Sequence, residues 1–227
     1  MNDIKEIAEC LLNVKVVSDE RFPFIVHHPF FDSLYFPVNE NGKQEIKMIT
    51  DKEVFKKAKQ TYIERINEAD EILDFVGLIR KPYLGLFTKM ASKYLSEEDL
   101  GKLLKEVWIL IETHNFDVNV SVKDYKDLFK KTSMKHLMSF EEMEAFEKLP
   151  ETFIVYRGVL NDGTEKGLSW TTDKKVAEWF SNRFDENNGR VYSGTVNKHD
   201  IFAYFLGRNE SEIVIDWQKI SNLALCE

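Results

Sequence analysis

Cysteine is scarce in this chain, proline is confined to its first two thirds, and no long apolar run occurs. The 227 residues contain two cysteines, Cys10 and Cys226, near opposite ends and without metal-like spacing. Neither a disulfide framework nor a zinc site is therefore expected. No stretch approaches the roughly 20 consecutive apolar residues that span a bilayer. The start, Met1-Asn2-Asp3-Ile4-Lys5-Glu6, leads into amphipathic sequence without the apolar core of a signal peptide. These absences lead us to expect a soluble protein of a reducing cytoplasm, with no metal and no membrane partner. Phosphate loops of the GxGxxG and GxxxxGKS/T types are missing as well, so a Rossmann or P-loop cradle is excluded. The formal net charge of −8 argues against broad adhesion to nucleic acid or anionic lipid.

What is present divides near Pro150. Residues 1–150 read as a mainly helical region. Ile4, Ile7, Ala8, Leu11 and Leu12 share one face of a short helix. Leu34 to Ile49 reads as a hairpin turning at Asn39-Glu40-Asn41-Gly42. Thr50-x-x-Glu53 has the form of a capping box opening a long helix whose apolar positions run from Val54 to Val76. Further helices are expected over 83–95, after the N-cap Ser96, over 122–131, and over 140–148 behind a second capping box, Ser139-x-x-Glu142. His27-His28 has no acidic or histidine cluster around it, and reads as structural. Lysines between Lys123 and Lys135 interleave with Tyr125 and Phe129, which reads as a solvated helix face rather than a nucleic-acid patch.

Beyond Pro150 the texture changes. All five prolines lie at or before it and six of the ten glycines after it. Strand-like runs appear at 152–157, 168–171, 190–196, 201–205, 212–217 and 220–225. Thr172 is a candidate cap for a helix over 173–184, with Val176, Ala177, Trp179 and Phe180 towards its buried side. Asn161-Asp162-Gly163 reads as a turn and Asp185 to Gly189 as a loop. Without regular βαβ alternation, the expected class is α+β, a helical N-terminal portion followed by an antiparallel sheet over 151–227.

Three islands in this last third place polar or ionisable groups at the ends of apolar runs. They are Val155-Tyr156-Arg157-Gly158, Gly167-Leu168-Ser169-Trp170-Thr171-Thr172, and Glu210-Ser211-Glu212 opening Ile213-Val214-Ile215. In this order they resemble the mono-ADP-ribosyltransferase superfamily, in its Arg/Ser/Glu branch typified by cholera-toxin-like and clostridial binary toxins. The likeness covers about 153–216 and departs from the pattern at the bulky Trp170.

The resemblance implies a split antiparallel sheet core that binds NAD+ as substrate and cleaves its nicotinamide–ribose bond. Arg157 would hold a pyrophosphate oxygen, and the backbone of Gly158 would clamp the nicotinamide carboxamide. Ser169 and Thr171, on one strand face, would orient the carboxylate of Glu212. Glu212 would stabilise the developing ribosyl cation, with Glu210 orienting or deprotonating the acceptor on a loop over 206–211. Phe180 or Trp170 would pack on the nicotinamide ring. The helical region would close the cleft. Such enzymes act as toxins or phage-conflict effectors, so the expected partners are a macromolecular acceptor, protein arginine or nucleic acid, and an antitoxin or inhibitor protein. The competing readings are an NAD glycohydrolase using the same site and a catalytically silent interaction module on the same fold.

Overall fold

Side-chain caps decide where several of the helices begin. The computed structural model describes residues 1–40, 42–111, 114, 117–160, 163–183 and 189–226. The chain forms two compact units, Met1–Asp99 with Glu106–Glu112, and Leu100–Lys105 with Thr113–Glu227. The second unit thus takes in helices that the change of texture at Pro150 would leave with the N-terminal region.

In the first unit, α1 (Asn2–Leu12) starts from Met1 with no side-chain cap. Two short strands, β1 (Val17–Ser18) and β2 (Val26–His27), pair antiparallel. The hairpin β3 (Tyr35–Glu40) and β4 (Lys43–Met48) pairs from Tyr35↔Met48 to Glu40↔Lys43. Its turn residue Gly42 sits at φ 76°, where a glycine escapes the Cβ penalty; Asn41 lies outside the described residues.

Helix α2 (Lys52–Glu68) opens on Asp51 rather than on Thr50. The Asp51 carboxylate accepts the N–H groups of Glu53 and Val54 at 2.9 and 3.1 Å, which a hydroxyl one residue earlier is out of register to do. Nor does it continue to Val76. Ala69 is extended, and Asp74 Oδ2 accepts the N–H groups of Asp70 and Glu71, each at 2.9 Å. That turn begins a separate helix, α3 (Asp74–Leu78). α4 (Lys81–Ala91) carries Pro82 in its first turn, where a missing N–H costs nothing. α5 (Glu97–Leu110) is capped as expected by Ser96, whose Oγ accepts Asp99 N–H at 3.0 Å.

α1 packs on α2 and α4. Beside them Phe31 meets Tyr62, Phe55 and Phe36 at centroid distances of 5.4, 5.9 and 6.4 Å. The segment that feeds this cluster is pinned by Arg80, whose Nη1 donates to the carbonyls of Val26 and Phe31 at 2.9 Å each. His28 is fully buried, and its Nδ1 accepts the N–H groups of Phe30 and Phe31 at 3.0 and 3.2 Å. A ring that accepts at Nδ1 carries its proton on Nε2 and is neutral, and burial pushes its pKa down to about 4. His27 is instead a surface partner of Asp19 at 3.1 Å.

The second unit contains α6 (Val122–Phe129), α7 (Met134–Leu137) and α8 (Phe140–Glu147), followed by β5 (Thr152–Val159), β6 (Ser169–Thr171), α9 (Lys174–Asn182), β7 (Arg190–Asn197), β8 (Ile201–Phe205), β9 (Glu212–Ile215) and β10 (Ser221–Leu225). Tyr125 and Phe129 of α6 are core residues, with Phe129 stacked on Phe202 of β8 at 5.8 Å, so neither ring is available to bases. Lys126 pairs with the nearly buried Asp216 at 2.5 Å. The strands form one six-stranded antiparallel sheet in the order β10-β7-β5-β6-β9-β8. Helices and an antiparallel sheet in separate stretches make this an α+β fold.

The sheet is nearly divided. β5 pairs with β7 over its whole length, but with β6 only at Tyr156↔Thr171. Two three-stranded halves, β10-β7-β5 and β6-β9-β8, therefore share a single register pair. β6 and β7 flank β5, so α9, which connects them, must cross the face of β5. It crosses on Gly158, where a Cβ would lie 1.8 Å from the Ala177 carbonyl oxygen. α9 is capped by Asp173, whose carboxylate accepts Lys175 N–H at 2.8 Å, rather than by Thr172. Ala177 and Ser181 face the sheet, whereas Trp179 is 57% exposed, contrary to the helical reading. The expected turn at Asn161-Asp162, the loop over 185–188 and the helix end at Phe184 lie outside the described residues.

Candidate active site

The chemistry gathers where the two half-sheets part. On the β9 side of β6, Ile215 N–H donates to Leu168 O at 2.9 Å and Thr172 N–H to Ser211 O at 3.2 Å. Strand alternation then turns the backbone groups of Ser169 and Thr171 towards β5. Thr171 meets Tyr156 there, and the ladder stops. Two residues further along β5, the same alternation turns the N–H and C=O of Gly158 towards the opening. Across it lies the carbonyl of Ser169.

Arg157 fills part of this opening. Its Nη1 donates to Ser169 O at 2.5 Å and its Nε to Thr164 O at 3.3 Å. The first and second islands are therefore joined by a guanidinium held on backbone carbonyls. Burial pushes the Arg157 pKa down to about 10, against the opposing pull of the Glu212 and Glu165 carboxylates. It stays fully charged at neutral pH. Two of its five N–H donors are engaged in these bonds, and a planar fork has others to offer a phosphate oxygen.

The second and third islands are joined through Thr171. Its hydroxyl donates to Glu210 O at 2.6 Å and accepts Asp173 N–H at 3.0 Å. Thr171 lies opposite Glu212 in the ladder, as Ser169 lies opposite Val214. Phe205, on the other side of β9, pairs with Glu212. Tyr156, Thr171, Glu212 and Phe205 thus occupy one row across four strands, on one face of the sheet. Glu212 and Ser169 are both half-buried.

Before Glu212 the backbone takes an unusual path. Gly207–Asn209 form a short 3-10 turn, and Arg208, Asn209 and Ser211 adopt φ of 57°, 57° and 45°. Non-glycine residues in this region cost on the order of 1 kcal/mol each and persist only where their surroundings impose them. The bonds from Thr171 Oγ1 to Glu210 O and from Thr172 N–H to Ser211 O are two such restraints.

One expected site residue takes another place. Trp170 is 1% exposed, on the face opposite Ser169 and Thr171, and its indole N–H donates to Gly167 O at 3.0 Å. It is a core anchor for the start of β6, which accounts for a bulky residue between Ser169 and Thr171. Gly158 is required by the crossing of α9, and only its backbone groups turn to the opening. Phe180 is half-buried on α9, its ring 5.0 Å from Trp179 in an edge-on contact. Among the described residues no group of three or more His, Cys, Asp or Glu side chains is arranged to hold a metal ion. No helix there is long and apolar enough to cross a membrane.

One residue at this end of the sheet escapes the motif reading. Glu142, recognisable in sequence only as a capping-box residue, also reaches the first residue of the loop that leads to Glu212. Nothing in its spacing announces that second contact. Comparison of the chain with protein-family models, with curated proteins and with solved structures finds no match.

Proposed function

We propose that the second unit is a mono-ADP-ribosyltransferase that cleaves NAD+ at its nicotinamide–ribose bond and transfers ADP-ribose to a macromolecular acceptor. The observation that carries this reading is Arg157 held on the Ser169 carbonyl at the parting of the half-sheets, with its charge favoured by the Glu212 carboxylate. The three residues come from separate strands, and the Glu212 carboxylate acts against the loss of guanidinium basicity that burial causes. Separately each has an ordinary structural use. Together a fixed cation stands on a backbone carbonyl at the opening, and the Ser169 hydroxyl shares a sheet face with Glu212, two residues along β6 from its partner Thr171.

The chemistry needs little more than this. The C1′–nitrogen bond breaks with its electron pair going to the pyridinium, so neutral nicotinamide leaves without a general acid. The difficulty is to hold a flexible dinucleotide and to stabilise an oxocarbenium-like ribose. Arg157 binds a pyrophosphate oxygen, and the backbone of Gly158 takes the carboxamide. Ser169 orients Glu212, whose charge lies by the developing cation. The acceptor lone pair then closes on C1′, and Glu210 takes its proton. A carboxylate in that place suits a guanidinium acceptor, so protein arginine is the favoured acceptor class. In a cell that makes the protein, such an activity acts as a toxin or phage-conflict effector and calls for an antitoxin or inhibitor protein.

The test uses NAD+ labelled in its ADP-ribose portion, a bacterial extract, and the wild type beside Glu212→Gln and Glu210→Ala. Nicotinamide release and label on protease- and nuclease-treated fractions are followed together. Label that disappears with Glu212→Gln is expected, and the digestion that removes it identifies the acceptor class. Nicotinamide release without label makes the protein an NAD glycohydrolase. Neither signal from the wild type overturns the catalytic reading.

A further inference from the structure

We propose that Glu142 is a positioning residue for the acceptor loop, setting how much ADP-ribose goes to an acceptor rather than to water; this rests on the transferase reading. Glu142 is 6% exposed on α8, and its carboxylate has three partners. Oε2 accepts the N–H of Ser139 at 2.7 Å, closing the capping box, and takes Lys105 Nζ at 2.6 Å. Oε1 turns the other way and accepts the N–H of Leu206 at 3.2 Å. Leu206 directly follows β8 and starts the turn to Glu210. Beside this bond, Tyr204 N–H donates to Met138 Sδ at 3.1 Å, and Lys105 Nζ lies 5.7 Å from the centre of the Phe205 ring. The end of β8 is thus held by Met138 and Glu142, on either side of the α8 cap, and by Lys105 of α5.

The loop has two fixed ends of different kinds. At the far end Glu212 sits in the ladder between Thr171 and Phe205, and Thr171 and Thr172 hold the carbonyls of Glu210 and Ser211. At the near end Glu142 supplies a charged acceptor to Leu206. Between these ends lie the left-handed residues Arg208 and Asn209, whose conformation needs restraint from both sides. Loosening the near end leaves Glu212 in its strand but frees Gly207–Asn209, which would contact an acceptor. Glu142 therefore acts on acceptor placement, while bond cleavage depends on Glu212 and Arg157.

The experiment compares wild type with Glu142→Gln, which keeps the shape of the side chain. A carboxamide offers one oxygen and cannot accept both Leu206 and Ser139 N–H groups. With labelled NAD+ and a bacterial extract, the ratio of label on macromolecules to free ADP-ribose is expected to fall about tenfold, since small misplacements of a reacting group cost that much or more. The kcat for nicotinamide release and the KM for NAD+ are expected to stay within about twofold, because the groups that carry cleavage are untouched. Hydrogen exchange of the 206–211 amides, which needs no activity, is expected to quicken in the variant. An unchanged ratio, a fall in nicotinamide release in step with transfer, or unchanged exchange overturns the proposal. A wild type that releases nicotinamide without labelling anything also overturns it. A wild type without any turnover overturns the transferase reading first and this role with it, and unaltered exchange alone refutes the anchoring.

Discussion

Glu212 and His28 illustrate how far a single side chain's surroundings set its use. Glu212 opens β9 and lies in register with Thr171, close enough to Arg157 for its charge to oppose the loss of guanidinium basicity. Removing a fixed charge of this kind typically costs 10²–10³ in kcat, so Glu212→Gln is expected to slow nicotinamide release on the order of a hundredfold or more, read by a chromatographic assay. His28 has no part in the proposed chemistry. Its Nδ1 is committed to two backbone N–H groups and its folded pKa lies near 4, below the ordinary value of 6.5. The unfolded chain therefore binds the proton more readily. The stabilisation is complete above about pH 6.5 and is lost as the pH falls towards 4, amounting to about 3 kcal/mol. Urea titrations at pH 7 and pH 4.5 are expected to show this loss, and a His28→Gln variant is expected to lack that component. The sequence marked Glu212 as a candidate because a carboxylate opening Ile-Val-Ile is conspicuous. It could not mark His28 as buried, because its neighbour His27 is the same residue type and is exposed.

At the scale of elements, the decisive device is α9 crossing β5. Its tight seat on Gly158 predicts that Gly158→Ala destabilises the protein by about 3 kcal/mol or more, because a methyl group would meet a helix carbonyl rather than a movable side chain. The midpoint of urea unfolding checks it. Thr171→Val removes the hydroxyl that donates to Glu210 O and accepts Asp173 N–H, and is expected to cost roughly 1–3 kcal/mol by the same measurement. The strands of this region were legible in the sequence to within a residue or two, since β-branched and aromatic runs between turns have few other uses. Helix starts were less so. Asp51 and Asp173 each displaced a neighbouring threonine as cap, because the carboxylate stood in register with the orphan N–H groups. The break of the long helix at Ala69 was hidden as well. Apolar spacing carries on through it, and only the Asp74 side chain folded back on Asp70 and Glu71 separates the two helices.

For the whole molecule, the net charge of −8 and a sequence pI of about 5.3 predict no retention on a heparin column at about 0.15 M salt, near the physiological range, because the overall negative charge repels a polyanion. Retention there would favour nucleic acid over the proposed protein arginine as acceptor. Residue pattern alone carried the α+β class, the run of strands after Pro150 and the residue types of the candidate site. Local periodicity, turn chemistry and charge require no knowledge of the partner strands. The long-range packing set the rest: the sheet nearly divides at Tyr156↔Thr171, Trp170 faces the core, and Glu142 reaches Leu206. Each of these depends on which strands become neighbours and in what register, and a contact between residues 64 positions apart leaves no local mark on either.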